Sequence, residues 1–145
     1  MKNHPLDTGF MPYKKIISEY VNANGLQGRI HFFDDGHLNK LFEHASGVIT
    51  VNSTSGMVAL EHGIPTLTLS DPIYNIPGLT STLSLDAFWG NPTKPDLEFF
   101  AQFKRVVLHT TQINGGFYCA DGIALAIENA IPILTAPQSP LEVLL

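Results

Sequence analysis

Residues 46–70, SGVITVNSTSGMVALEHGIPTLTLS, predict a strand, a polar turn, a helix and a second strand. Residues 47–51 are a short apolar run rich in β-branched side chains, which is typical of a strand covered on both faces of a parallel sheet. The helix is expected to reach about His62, where Gly63 caps it, and Pro65 opens the second strand at residues 66–69. The stretch therefore predicts a strand–helix–strand unit of an α/β protein.

The turn of this unit is rich in hydroxyl groups. It consists of Asn52, Ser53, Thr54, Ser55 and Gly56, at the point where a strand's carboxyl end meets a helix start. Ligands of open α/β sheets bind at that edge, and a helix start offers free N–H groups and a positive dipole to an anion. The same residue types are also ordinary helix caps. Capping and anion binding are compatible, so the turn alone leaves both interpretations open.

The rest of the chain repeats the alternation of helix and strand. Before the turn, the sequence predicts a helix at 13–24, a strand at 29–33 and a helix at 38–45; after it, helices at 84–90, 93–108 and 122–130. Such an order is typical of a Rossmann-like parallel sheet flanked by helices. The sequence predicts one domain over residues 1–131, and the three prolines that begin with Pro132 predict an extended tail over residues 132–145.

Composition excludes several classes of protein. The chain has 145 residues, 44% of them hydrophobic, and eight Lys and Arg against thirteen Asp and Glu, for a formal net charge of −5. This balance disfavours nucleic acid as a partner, because phosphate backbones are bound by clustered basic residues. No apolar run is long enough to span a bilayer, and the start has no signal-peptide pattern. The lone Cys119 favours a reducing compartment, and we expect it to be a small buried hydrophobe.

Two further polar pairs follow strands that the pattern predicts or implies. His4-Pro5 lies in a loop close to the start of the chain, and Asp34-Asp35 follows the predicted strand at 29–33. The loop at His4-Pro5 looks like one that follows a missing strand, so we expect the chain to be a fragment without its upstream half. Parallel strands end at one sheet edge, so these pairs are expected to converge there with the hydroxyl turn, where His4 and the turn could bind a nucleotide-sugar phosphate. Asp34 and Asp35 could act as a base, bind a metal or receive ribose hydroxyls. The alternative without a binding role is that His4 is an ordinary loop residue and Asp35 caps the following helix. No metal site is predicted, since the histidines lack ligand spacing, and no Walker A sequence or nucleophile elbow is present.

These blocks, taken together, resemble a known family. His4-Pro5-Leu6-Asp7, Phe33-Asp34-Asp35, the turn at 52–56, and the block at 73–80, which reads IYNIPGLT, are similar in kind and order to the capsule polysaccharide biosynthesis family of the KpsS/LipB type. The likeness covers roughly residues 2 to 119. It implies the carboxy-terminal, donor-binding domain of a GT-B glycosyltransferase, a fold with two Rossmann-like domains.

The resemblance also implies a function. Members are implicated in transferring Kdo from CMP-Kdo to a lipid-linked acceptor in capsule assembly, with CMP-Kdo as donor substrate and no tightly bound cofactor. His4, Pro5 and the turn residues Asn52, Ser53, Thr54, Ser55 and Gly56 would then bind the nucleotide phosphate. Asp34, Asp35 and Tyr74 would contact the base, ribose or sugar, and the catalytic residues are unknown because the general base of related transferases lies in the other domain.

Several expectations follow from this picture. The chain alone is expected to be inactive, to lie in the cytoplasm or on the inner face of the cytoplasmic membrane, and to meet other capsule assembly proteins. Two alternatives stay open: a non-catalytic capsule export or assembly module that docks through residues 73–79, and a sugar-nucleotide epimerase of the same fold.

Overall fold

The computed structural model describes residues 9–33 and 37–145. The chain divides into two compact units, residues 1–45 and residues 46–145. His4, Pro5, Asp34 and Asp35 lie outside the described residues, and the prediction that residues 1–131 form a single domain stays a prediction. In the described part of the chain, no helix is both long and apolar enough to cross a membrane.

The first unit contains two helices that the sequence predicts. Helix α1 spans Tyr13–Ala23 and turns Val21 inward, and helix α2 spans Leu38–Phe42 and buries Phe42. The predicted strand at 29–33 is wrong, because only Phe33 makes an isolated bridge there. The chain instead turns through this region: the amide of Leu26 bonds to the Val21 carbonyl and that of Arg29 to the Leu26 carbonyl. Gly28, with a φ of 76°, permits the turn.

The second unit contains the predicted strand–helix–strand. Strand β1 spans Val48–Thr50, helix α3 spans Ser55–Glu61, and strand β2 spans Thr66–Thr68. The strands pair in parallel, with Val48 opposite Thr66 and Thr50 opposite Thr68. Gly63 ends the helical segment at a φ of 68°, as the sequence predicts. Strand β1 is only half-buried, so it is less covered than a strand with both faces packed.

Two capped helices follow. Helix α4 spans Leu85–Gly90, with the Ser84 hydroxyl accepting from the Ala87 amide, and helix α5 spans Leu97–Thr111, with the Asp96 carboxylate accepting from the Phe99 amide. Helices α3 and α5 enclose the core, and Lys104 of α5 donates to Glu61 of α3 at its exposed edge. This contact holds the pKa of Glu61 below its ordinary value. The core cluster consists of Leu60, Tyr74, Leu79 and Phe100.

The end of the chain differs from the prediction. Helix α6 spans Ala120–Thr135 and includes Pro132, and helix α7 spans Pro140–Leu144 behind a capping box made by Ser139 and Glu142. The extended tail predicted for residues 132–145 is therefore wrong. Cys119 is exposed, not buried, and its Sγ accepts from the Gly122 amide at the start of α6. The described fold is α/β, a small parallel sheet flanked by helices.

Candidate functional site

The hydroxyl turn lies where the sequence predicts it, after the carboxyl end of β1. Thr54 has helical dihedral angles, and within the described residues its side chain makes no capping hydrogen bond. The Ser53 Oγ instead accepts from the Ser55 amide at 3.2 Å and from the Ser55 hydroxyl at 2.8 Å. Both donors point at one oxygen, so the two serines form a closed hydrogen-bonded pair across the turn.

This arrangement leaves donor groups available. In residues 37–145, the hydroxyl hydrogens of Ser53 and Thr54 are donated to no protein acceptor, and Thr54 is exposed to solvent. A hydroxyl that accepts two hydrogen bonds is polarised and becomes a better donor itself. Ser53 is half-buried, so its hydrogen bond to an incoming anion would be less weakened by water than one at the open surface.

A second segment of chain holds the turn from the side. The hydroxyl of Tyr74 donates to the Ser53 carbonyl at 2.5 Å, and the Gly56 amide donates to the same oxygen at 2.9 Å. Tyr74 is buried, with 3% of its surface exposed. Burial raises the pKa of Tyr74 above its ordinary value of 10.0, so the hydroxyl is protonated and able to donate at neutral pH.

Gly56 is required by the contact with Tyr74. A Cβ placed on Gly56 would lie 2.5 Å from the Tyr74 hydroxyl oxygen and 2.8 Å from its ring carbons. Real Cβ atoms do not approach so closely, so any other residue at position 56 would displace the ring or the turn. The glycine therefore serves the packing of the ring against the start of α3.

The remainder of the 73–80 block anchors Tyr74 to the sheet. The Asn75 Oδ1 accepts from the Thr68 hydroxyl at 2.9 Å and from the Thr80 hydroxyl at 2.8 Å. Leu79 is 2% exposed, and the Ser81 amide donates to the Thr66 carbonyl at 2.8 Å. The loop thus spans β2 from its carboxyl end to its start, and the blocks at 52–56 and 73–80 form one hydrogen-bonded body.

Of the predicted site residues, the structure describes Tyr74 and the residues of the turn at 52–56. Tyr74 contacts the Ser53 carbonyl and the start of α3 at Gly56. The contribution of His4, Pro5, Asp34 and Asp35 stays a prediction, as does a direct contact of Tyr74 with base, ribose or sugar. Among the described residues, no group of His, Cys, Asp and Glu is arranged to hold a metal ion.

Sequence reasoning missed Asn75, Thr68 and Thr80, which fix the loop through side-chain hydrogen bonds. Their signal was weak, since isolated polar residues in a loop have many ordinary roles. The available signal was a long loop carrying large apolar side chains, which indicates a segment that packs inward.

Comparison with known proteins supports the family resemblance of the sequence blocks at 52–56 and 73–80. A family profile described as "Capsule polysaccharide biosynthesis protein" matches residues 1–118. The chain belongs to this family. The matched segment contains the turn at 52–56 and the block at 73–80, so the hydrogen-bonded body lies within the part that the family shares.

Two relatives show the extent of the similarity. The capsule polysaccharide modification protein LipB of Neisseria meningitidis serogroup A is 40% identical over 119 residues, which cover 81% of this chain and 28% of LipB. The capsule polysaccharide export protein KpsS of Escherichia coli is 36% identical over 118 residues, which cover 81% of this chain and 30% of KpsS. The chain thus spans less than a third of the length of either relative. No solved structure matches the chain significantly.

Proposed function

We propose that this chain is the donor-binding part of a capsule glycosyltransferase, and that the turn at 52–56 receives the phosphate of CMP-Kdo. Membership of the capsule polysaccharide biosynthesis family supports a role in the synthesis of capsule polysaccharide. The observation that carries the proposal is that, within residues 37–145, the hydroxyl hydrogens of Ser53 and Thr54 are donated to no protein acceptor. Both lie beyond the end of β1, on a backbone held by Tyr74 and Gly56.

The chemistry required of such a site is modest. CMP is already a good leaving group, so the donor site need only bind the phosphate and stabilise the charge that develops as the bond to the sugar breaks. Fixed donors achieve this with little reorganisation, because they are oriented before the reaction begins. Ser53 and Thr54 would donate hydroxyl hydrogens, because the amides of Ser55 and Gly56 are already donated to the Ser53 Oγ and to the Ser53 carbonyl.

The remaining roles are part of the same proposal. His4, in its dipeptide with Pro5, would be a further donor to the phosphate, and Asp34 and Asp35 would receive ribose or base groups. Kdo would pass to a lipid-linked acceptor, and the general base would come from outside this chain. The net charge of −5 is compatible with a small anion that is held by a few local donors. Binding of a polyanion would instead require a basic surface.

The experiment is a titration of the full chain with CMP, in which the backbone amide signals are monitored by NMR. We expect the amide signals of residues 52–56 to shift with added CMP, and Ser53→Ala to weaken binding several-fold. Ser18→Ala is the matched control, because among the described residues the Ser18 hydroxyl bonds only to the Lys14 carbonyl of its own helix. His4→Ala should weaken binding if the dipeptide contributes. A folded sample that shows no shift at millimolar CMP would contradict the donor-site proposal.

A non-catalytic export or assembly module is the second candidate. It is favoured by the name of one relative, a capsule polysaccharide export protein. Ile73, at the start of the 73–80 block, is 68% exposed and offers an apolar contact for a partner. Capture of a capsule assembly protein that is lost in Ile73→Ser and unaffected by CMP would favour this function.

A further inference from the structure

The loop after β2 and the segment before α5 enclose a small cavity. Its volume is about 230 Å³, and its lining residues come from segments 77–83 and 93–94. The Ser81 amide donates to the carbonyl of Thr66, the first residue of β2, whereas the turn at 52–56 follows the carboxyl end of β1. Because the two strands are parallel, the cavity and the turn lie at opposite ends of the sheet.

Backbone hydrogen bonds fix the two walls of this cavity relative to each other. The Asp96 amide donates to the Gly78 carbonyl at 2.9 Å, which ties the segment before α5 to the loop. Gly78 has a φ of 95°, in the left-handed region that favours glycine. Leu79, at 2% exposed, anchors the loop in the core. The cavity is therefore formed without a ligand, so binding requires little ordering of the chain.

A buried hydroxyl group belongs to the lining. Ser81 is 8% exposed, and its Oγ accepts from the Leu83 amide at 3.3 Å. Both residues line the cavity, so this hydrogen bond holds the hydroxyl at the cavity wall. Within the described residues, the hydroxyl hydrogen of Ser81 is donated to no protein acceptor. A buried donor gains free energy when it finds an acceptor, so a ligand atom that accepts from Ser81 would be favoured.

Most of the other polar groups of the cavity are also available. Thr82, Thr93 and Lys94 are exposed, and their side chains make no hydrogen bond or ion pair to any residue that the structure describes. The Thr80 hydroxyl, by contrast, already donates to the Asn75 Oδ1 at 2.8 Å. Among the described residues that line the cavity, Lys94 alone is charged. The cavity therefore combines one ammonium group with three available hydroxyls.

This combination matches an anionic sugar better than a bare anion. An inorganic anion offers acceptors only, whereas sugar hydroxyls both donate and accept, as the serine and threonine hydroxyls of the cavity do. The volume is below the range of about 300–1,000 Å³ that is usual for drug-sized ligands, so the cavity suits one small unit. We propose that it binds a monosaccharide unit carrying a carboxylate or phosphate. The charged group pairs with Lys94, and the sugar hydroxyls bond to the hydroxyl side chains of the cavity.

An NMR titration of the full chain with small sugars tests the proposal. The probes are galacturonate and glucose-6-phosphate, with glucose as the neutral sugar and inorganic phosphate as the bare anion. We expect at least one anionic sugar to shift the amide signals of residues 78–83 and 93–94, with a dissociation constant in the millimolar range. Glucose and inorganic phosphate should each bind about fivefold more weakly, because each lacks one of the two kinds of contact.

Two variants with matched controls separate the two kinds of contact. Lys94→Gln should weaken binding of the anionic sugar about fivefold and remove its advantage over glucose. Arg105→Gln changes the net charge equally at a residue of α5 that does not line the cavity, and should have no effect. Thr93→Val should weaken binding about threefold through the lost hydrogen bond. Thr111→Val, at an exposed threonine of α5, should leave binding unchanged.

The proposal is overturned if neither anionic sugar shifts these signals at tens of millimolar in a folded sample, or if Lys94→Gln binds as tightly as the wild type. Inorganic phosphate that binds as tightly as the anionic sugars would assign the cavity to a small anion only and also overturn it. Ser53→Ala should leave sugar binding unchanged, because Ser53 lies at the other end of the sheet. Loss of sugar binding in Ser53→Ala would contradict a separate site, whereas failure of CMP to bind the turn would leave the sugar result intact.

Discussion

The segment from β1 to Ser81 and the segment from α6 to the end of the chain are built on different principles. In the first, short elements are joined by side-chain hydrogen bonds and by buried residues such as Leu60 and Leu79, which are 0% and 2% exposed. In the second, the longer helix α6 buries none of its described residues. The family profile ends at residue 118, just before α6.

The difference predicts opposite responses to the same kind of mutation. Leu60→Ala removes a fully buried side chain from the core and should lower the free energy of unfolding by about 2–5 kcal/mol. Ile131→Ala removes a side chain that is 55% exposed and should change it by about 0.5 kcal/mol or less. Urea denaturation of the two variants and the wild-type chain measures both changes. Equal losses of unfolding free energy in the two variants would contradict the distinction between the two segments.

Gly56→Ala tests the packing of Tyr74 against the start of α3. The added methyl group would overlap the ring, and relief of the overlap should cost about 1–3 kcal/mol of the unfolding free energy. Gly90→Ala is a matched control, because a Cβ at Gly90 meets nothing within 4 Å. A Gly56→Ala protein as stable as wild type would show that the turn and the loop are not held together as described.

Tyr74→Phe removes only the hydrogen bond to Ser53. The Ser53 carbonyl keeps the Gly56 amide as donor, so we expect a loss of about 0.5–1.5 kcal/mol in the unfolding free energy. If the turn binds CMP, its affinity should also fall, because the backbone at 53–55 loses one of its fixed points. Tyr118→Phe, at a fully exposed position, should alter neither quantity. Denaturation together with the CMP titration separates the two effects.

Local patterns predicted the local elements. The apolar spacing of α1, the β-branched residues of β1 and Gly63 after α3 each act within a few residues, so the sequence displays them directly. The candidate turn was predicted for the same reason, since a hydroxyl-rich stretch between a strand and a helix has a local physical meaning.

The errors arose where local signals conflict or where distant contacts decide. Pro132 indicated an end to regular structure, but the Ala-, Ile- and Leu-rich residues around it continue α6 through Thr135 despite the lost N–H. Residues 29–33 carry a strand-like composition, yet the preceding turn at Gly28 and its neighbours directs the chain elsewhere. The contact of Tyr74 with Gly56 joins residues far apart in sequence, and no local pattern records it.

Amide hydrogen exchange of the full chain at low micromolar concentration is the most direct test of the account. The Gly56 and Ser81 amides, which bond to the Ser53 and Thr66 carbonyls, should exchange only through opening with a free energy close to that of global unfolding. Amides in the middle of α6, such as that of Ile127, should exchange through local fraying at least a hundredfold faster. Equal protection of the two segments, or faster exchange at Gly56 and Ser81, would contradict the view that residues 52–81 form one packed body on which the proposed site depends.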